Sequence, residues 1–369
     1  MKMKFKKIIA TAMLSFLAVQ LVFPCTGLRL IANDGSVIFA RTMEWGTFDL
    51  LSRVVVIPRN FSLQDKGPNG ENTLGWKTKY GAVGIDALHK DLLLDGMNEK
   101  GLTVNAFYHE GYAVYSTFDV KKAAATISEF GLTAYLLTNC ASVEEVKQTM
   151  NKINVIGVVQ VAIGIAPPLH FAVTDASGKT IVIEFINGVT KIHDAPLGVV
   201  TNGPTYDWHM ENFLNYVQLE TPLSQRKIEK LSDVKFGGGN KYFGVPGDLT
   251  SPSRLLRVAA YASTARSTPD GKETIYEAFR ILDNFNLPVG DAAEGGGDVD
   301  NATLRSATNW TSCYDTKNKV MYYHTLNNRR VRQLNLYELN FDAKAIVRLP
   351  LDTRKEQDID NITTKLSTQ

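Results

Sequence analysis

The chain has 369 residues, 44% of them apolar, with 40 basic and 38 acidic side chains and a formal net charge of +2. That length and apolar share support one large core or two modest ones, while so even a charge balance argues against nucleic acid as the partner, because phosphate binding needs a concentrated basic surface. Three cysteines, Cys25, Cys140 and Cys313, are too few for a disulfide framework, so the core must hold the fold.

Residues 1–24 carry four lysines, no acidic residue and a 16-residue apolar run from Ile8 to Phe23 broken only by Thr11, Ser15 and Gln20. This is the shape of an export signal. The run is shorter than the roughly 20 residues that span a bilayer, so we expect a removable leader, no stable membrane anchor, and a periplasmic or secreted protein. Losing four of the 40 basic residues leaves 36 against 38 acidic, a formal charge of −2. Val22-Phe23-Pro24 lacks the small residues a standard signal peptidase prefers. Two readings stay open: cleavage after Pro24, which makes Cys25 the first residue of a single domain over 25–369, or a surface lipoprotein lipidated at Cys25, to which Phe23-Pro24 is a poor lead-in.

From Cys25 the pattern predicts a hairpin: a strand to Ala32, the turn Asn33-Asp34-Gly35-Ser36, and a return strand Val37–Met43. Further strands are expected at Arg53–Pro58 and, after the turn Asn98-Glu99-Lys100-Gly101, at Leu102–Tyr108. Residues 128–152 read as helical, with Ser142-Val143-Glu144-Glu145 a capping box for a helix ending near Ile153. Strands follow at Leu169–Thr174, Thr180–Ile186, Thr190–Ile192 and Gly198–Thr201, which delivers Asn202 to a turn. Helices are expected at Tyr206–Val217, Ser253–Ala262 and Glu273–Asn284, then strands at Arg305–Tyr314, Val320–His324 and Val331–Tyr337. Blocks of strands and helices, rather than strict alternation, indicate an α+β fold of antiparallel sheets with helices layered outside. The glycine clusters Gly237-Gly238-Gly239 and Gly295-Gly296-Gly297 lack a phosphate-loop ending and read as loop turns. Arg329-Arg330-Val331-Arg332 reads as a solvated strand edge.

The chemistry centres on Cys25. An amino-terminal cysteine holds a nucleophile and a proton acceptor in one residue; its α-amino group, pKa about 7.7–8.0, lies within one water of the sulfur. Arg41, on the return strand, is placed to face Cys25 across the pair and favour the thiolate. Cys140 and Cys313, the candidates for a papain-like enzyme, sit in contexts that read as core. Met43, Trp45, Phe107, Tyr108 and the apolar loop Val155–Pro167 are candidates for an apolar substrate pocket.

Five short motifs extend this reading: Cys25-Thr26, Arg41-Thr42-Met43-Glu44-Trp45, Asn98-Glu99-Lys100-Gly101-Leu102, Thr201-Asn202-Gly203-Pro204, and Gly247-Asp248-Leu249-Thr250-Ser251-Pro252-Ser253-Arg254. In this order and spacing the chain resembles the choloylglycine hydrolase family, the bile salt hydrolases and penicillin V acylases among the N-terminal-nucleophile hydrolases. The resemblance implies an αββα sandwich of two antiparallel sheets between helical layers. It further implies Cys25 as nucleophile, Arg41 beside the sulfur, Asn202 and a donor at Tyr108 for the oxyanion, and Arg254 as a second active-site arginine. Glu44 stands where the family usually has aspartate to hold the α-amino group. The implied activity is hydrolysis of small-molecule amides without cofactor or metal, by a homo-oligomer, a homotetramer in the family pattern. Conjugated bile salts are the expected substrate, with penicillin V or N-acyl homoserine lactones as alternatives; Tyr108 leans toward penicillin V. The six histidines show no HExxH or close His/Cys ligand spacing.

Overall fold

The computed structural model describes residues 24–46, 49–216, 244–288 and 307–366; the leader up to Phe23 and both glycine clusters lie outside them. In chain order the strands and helices are β1 (Thr26–Ile31), β2 (Val37–Trp45), β3 (Arg53–Ile57), β4 (Ser62–Lys66), β5 (Asn72–Lys77), β6 (Ala82–Ala87), β7 (Leu92–Asn98), β8 (Thr103–Tyr108), β9 (Thr126–Ser128), α1 (Glu129–Asn139), α2 (Val143–Met150) and β10 (Asn154–Ile156). Then come β11 (Leu169–Thr174), β12 (Thr180–Ile186), β13 (Val189–Asp194), β14 (Val199–Val200), α3 (Tyr206–Leu214), α4 (Ser251–Ser263), α5 (Gly271–Leu282), β15 (Ala307–Asp315), β16 (Val320–Thr325), β17 (Arg332–Asn335), β18 (Val347–Pro350) and α6 (Thr363–Leu366).

Two large sheets carry the fold. The first runs β14-β1-β2-β15-β16-β17 and the second β13-β12-β11-β8-β7-β6-β3-β18. Neighbours in both pair antiparallel, as in β1–β2, β15–β2, β11–β8 and β7–β8. Phe39, Phe107, Phe171 and Trp310 fill the main core, with Trp310 of the first sheet bonded to Asp95 of the second. Helix α1 covers the second sheet through β7 and β8, while α4 and α5 cover β1, β2 and β15 of the first. Their apolar faces build a second core with Leu28, Ile38, Leu255, Val258, Ile275 and Leu282. The result is the α+β layering expected of the sequence.

Local chemistry explains the start of each element that positions the site. The β1–β2 hairpin turns at Gly35, whose φ of +79° a side chain would strain, and Asp34 Oδ1 accepts the Ser36 N–H. Ser128 Oγ accepts the Gly131 N–H to open α1, and Asp270 accepts from Glu273 to open α5 two residues before the predicted start. Ser142 accepts from Glu145, whose carboxylate takes the Ala141 N–H, and α2 ends at Met150 rather than Ile153.

Other differences have physical causes. Strands β4 to β7 and β18 escape the sequence reading because β4 and β5 are half-exposed and polar, while Gly84 and Gly96 dilute β6 and β7. Those glycines are required: a Cβ at Gly84 would lie 2.4 Å from Asp95 O, and at Gly96 2.5 Å from Val83 O. Strand β17 stops at Asn335, whose side chain caps a 3₁₀ turn over Leu336–Glu338. Arg329, Arg330 and Arg332 pair with Asp283, Asp358 and Asp352, so the basic cluster is neutralised at a sheet edge.

Candidate active site

Cys25 lies immediately ahead of β1 and is 1% exposed. The β1–β2 register sets Gly27 opposite Arg41 and Thr26 opposite Thr42. Arg41 therefore faces Gly27, one pleat from Cys25, which corrects the expected direct pairing. Met43 fills the intervening place: its Sδ is 4.0 Å from Cys25 Sγ and 3.0 Å from Arg41 Nη2. The fully buried guanidinium also donates to Thr42 O at 3.1 Å and Ala106 O at 2.5 Å, and lies 4.6 Å from the centroid of Phe107. Burial pushes the Cys25 thiol above its ordinary pKa and Glu44 adds to this, while Arg41 and Arg254 pull it down.

Glu44 follows on β2 and is also buried. Its Oε1 accepts from Thr308 Oγ1 at 2.7 Å, whereas Oε2 has no hydrogen-bond partner among the described residues. Burial pushes this carboxyl up to about 7, against the pull of Thr308 and Arg254. Arg254 reaches in from α4, donating through Nη1 to Cys25 O at 2.5 Å and Thr26 Oγ1 at 2.8 Å, and through Nη2 to Asn202 Oδ1 at 2.7 Å. Burial pulls its pKa down to about 10. Asn202, in the turn between β14 and α3, donates from Nδ2 to Tyr108 O at 2.7 Å. An arginine can only donate, so the contact with Arg254 fixes which end of the Asn202 amide is oxygen. Cys25, Arg41, Glu44, Asn202, Arg254 and Tyr108 thus converge, although their positions span residues 25 to 254.

A cavity of about 40 Å³ opens beside the thiol. Met43, Glu44, Trp45 and Tyr108 line it, with Leu50, Leu94, Phe130, Leu169 and others making a nearly wholly apolar wall. Burial pushes the Tyr108 phenol up to about 12. Phe107 is corrected as a pocket residue: neighbours on a strand point to opposite faces, and its ring is fully buried between Gly27 and Arg41. Of the loop Val155–Pro167, only Ile163 and Pro167 reach the cavity, whereas Val159 and Val161 are exposed.

Two groups escaped the sequence reading. Asp95, on β7, lies 3.9 Å from Arg41 Nε and accepts from Trp310, Ser312 and Tyr314 of β15. Behind Asn202, His109, His170, His193 and His209 gather around or near Glu184. Among the described residues, His109, His170 and Glu184 alone have ligand atoms close enough to share a metal ion. Their geometry does not suit one. The two rings are stacked at 4.3 Å and 10°, so one ion cannot lie in the plane of both, and each ring already turns a nitrogen to a backbone carbonyl. Cys140 and Cys313 are buried away from this site, their thiols pushed up by burial, Cys140 to about 11.

The chain that builds this arrangement, a buried thiol with two arginines, a carboxyl and an apolar cavity around it, has relatives. The family model for linear amide C–N hydrolases, choloylglycine hydrolase family, matches residues 25–349. A bile salt hydrolase/transferase of Clostridium perfringens is 31% identical over 330 residues, covering 87% of this chain and 95% of that protein. A penicillin V acylase of Pectobacterium atrosepticum is 24% identical over 349 residues, covering 88% of this chain and 84% of that one. Among solved structures, a variant of conjugated bile acid hydrolase from Clostridium perfringens aligns with a TM-score of 0.77 at 29% identity, over 92% of this chain and 100% of that one. Penicillin V acylase from Agrobacterium tumefaciens aligns at 0.70 and 25% identity, over 89% and 92%. The match runs from the candidate nucleophile through the strands of both sheets, and the chain belongs to the choloylglycine hydrolase family of linear amide C–N hydrolases.

Proposed function

We propose that this enzyme, exported and shortened to begin at Cys25, hydrolyses amides that join an apolar acyl group to a polar amine, conjugated bile salts foremost. The observation that carries the reading is the apolar cavity opening on the Cys25 thiol. The activity of the Clostridium perfringens relative, a bile salt hydrolase/transferase, adds bile salts to it. Leader removal frees the α-amino group of Cys25, and Glu44, whose Oε2 has no hydrogen-bond partner among the described residues, is the carboxylate to hold it as a base. That amine takes the thiol proton and the thiolate attacks the amide carbon. Asn202 Nδ2 and a donor at Tyr108 receive the oxyanion. Collapse breaks the C–N bond, the amine leaves with the proton, and a thioester remains. Water, giving a proton to the same α-amino group, then releases the acid and restores the thiol. Arg41 and Arg254 favour the thiolate, and Arg254 ties the Cys25 carbonyl to Asn202.

Tyr108 supports a second reading, penicillin V, whose flat aromatic acyl group also suits an apolar wall. Apolar walls separate such shapes by only about 1–3 kcal/mol per methylene-sized difference, so overlap is expected. The deciding measurement is kcat/KM for glycocholate, taurocholate, penicillin V and an N-acyl homoserine lactone, on protein whose amino terminus is Cys25 by mass. A clear preference for penicillin V reverses the order, and full turnover with the leader still attached removes the α-amino base from the mechanism.

A further inference from the structure

The turn that carries Asn202 is held from behind by an unusual set of buried polar groups. Thr201 O is met by His170 Nε2 of β11 at 2.9 Å, Asn202 O by His209 Nε2 of α3 at 3.0 Å, and Pro204 O by His109 Nε2, just past β8, at 3.3 Å. Glu184 Oε1 of β12 accepts the Tyr206 N–H at 2.7 Å, and Asn202 N donates to Ser251 Oγ at 2.9 Å. The same carboxylate stands 3.6 Å from His109, 3.7 Å from His170 Nδ1 and 3.2 Å from His193 Nε2, whose other nitrogen meets Asp207 at 2.9 Å. His109, His170, Glu184 and His209 are 0–2% exposed. Three imidazoles therefore serve three carbonyls of one four-residue segment, with a single carboxylate beside two of them, His109 and His170.

Burying so many polar groups is costly, and well-packed apolar residues would stabilise the core as well or better. What the arrangement supplies is direction. With its carbonyl on His209 and its N–H on Ser251, the Asn202 backbone cannot roll, and its side chain is pinned at Oδ1 by Arg254 and at Nδ2 by Tyr108 O. One Nδ2 hydrogen is spent on Tyr108; the amide has a second to give. Burial pulls His109 down to about 3 and His209 to about 4, so both are neutral and act through one N–H.

We propose that Glu184, with His109, His170 and His209, forms a positioning frame that aims the Asn202 amide at the oxyanion formed over Cys25. It goes beyond the substrate reading and rests only on the hydrolysis of an amide at Cys25. A displacement of about 1 Å at a catalytic donor costs on the order of 10²-fold in rate, so loss of one frame residue should be felt in turnover more than in binding.

The test compares His209→Leu, His209→Gln and Glu184→Gln with wild type, all beginning at Cys25 by mass, on glycocholate or penicillin V, whichever the wild type turns over. Gln places an N–H near the histidine Nε2 position, whereas Leu has none. We expect kcat to fall 10- to 100-fold in His209→Leu and Glu184→Gln with KM within about threefold, and His209→Gln to recover most of the loss. Alkylation of Cys25 by iodoacetamide should stay at the wild-type rate in all three, because the frame does not touch the sulfur. Equal kcat in the Leu and Gln variants, or alkylation falling in step with kcat, overturns the proposal. So does an equivalent of zinc in the purified protein lost on Glu184→Gln. If His209→Leu does not fold, Glu184→Gln against His209→Gln still decides it, since unchanged kcat in Glu184→Gln is incompatible with the frame.

Discussion

Glu44 shows at the scale of one residue how burial and function are set against each other. Its carboxyl rises from 4.5 to about 7 in the chain that still carries Pro24, because burial penalises its charged form more than Thr308 and Arg254 favour it. A raised carboxyl favours the protonated fold: the stability it contributes is fully present below pH 4.5 and is lost as pH rises through about 7. In a leader-bearing Cys25→Ala background, Glu44→Gln should therefore match Glu44 in stability near pH 4 and exceed it at pH 8. The upper bound is about 3 kcal/mol, read from denaturant unfolding at the two pH values; an equal gap at both would show that charge is not the cause. In protein prepared to begin at Cys25, the proposed form, the effect is read in turnover. There Glu44→Gln lowers kcat at least 10-fold, while Glu44→Asp keeps more of it because the charge survives.

At the scale of the element, the β1–β2 pair works because Gly27 leaves room. A Cβ there would lie 2.7 Å from Phe107 Cζ and 3.0 Å from Val200, and Phe107 is the ring under the Arg41 guanidinium. Gly27→Ala should cost about 1–3 kcal/mol by overpacking and change the rate of Cys25 alkylation through the displaced Arg41. Gly35→Ala in the hairpin turn is the control. It strains a φ of +79° but meets no atom within 4 Å, so it should cost about 1 kcal/mol and leave alkylation unchanged. If both variants alter alkylation equally, Phe107 is not the link.

Across the whole molecule, Asp95 ties the two sheets together under the site. Trp310 Nε1, Ser312 Oγ and Tyr314 OH, alternate residues on one face of β15, reach it at 3.0, 3.2 and 2.6 Å, and Arg41 lies beside it. With Glu44 ionised, two arginines face two carboxylates, and the site can take on a thiolate without a large net charge. Asp95→Asn breaks this balance inside the core, and we expect a loss of about 3–5 kcal/mol, seen as a lower urea midpoint at unchanged m-value. Combined with Tyr314→Phe the loss should be less than additive; strict additivity would mean that the two do not share one interaction.

Much of this was legible in the chain alone. The turn residues around Gly35 and Gly101, the cap at Ser142 and the five motifs carry local chemistry, and local chemistry is written in adjacent residues. They pointed to the α+β fold and to the family, and they singled out Cys25, Arg41, Glu44, Asn202 and Arg254. Asp95 and the Glu184 frame were silent because their partners lie far along the sequence, 219 residues from Asp95 to Tyr314 and 22 from Glu184 to Tyr206, with no motif to join them. Strand register decided the rest. Whether Phe107 or Tyr108 faces the cavity, and whether Arg41 or Met43 stands next to the sulfur, turns on a shift of one or two residues in pairing. Sequence by itself determined which groups were available for the chemistry; only the packing of one sheet on the other decided which of them meet, because burial and direction belong to contacts between strands distant in the chain.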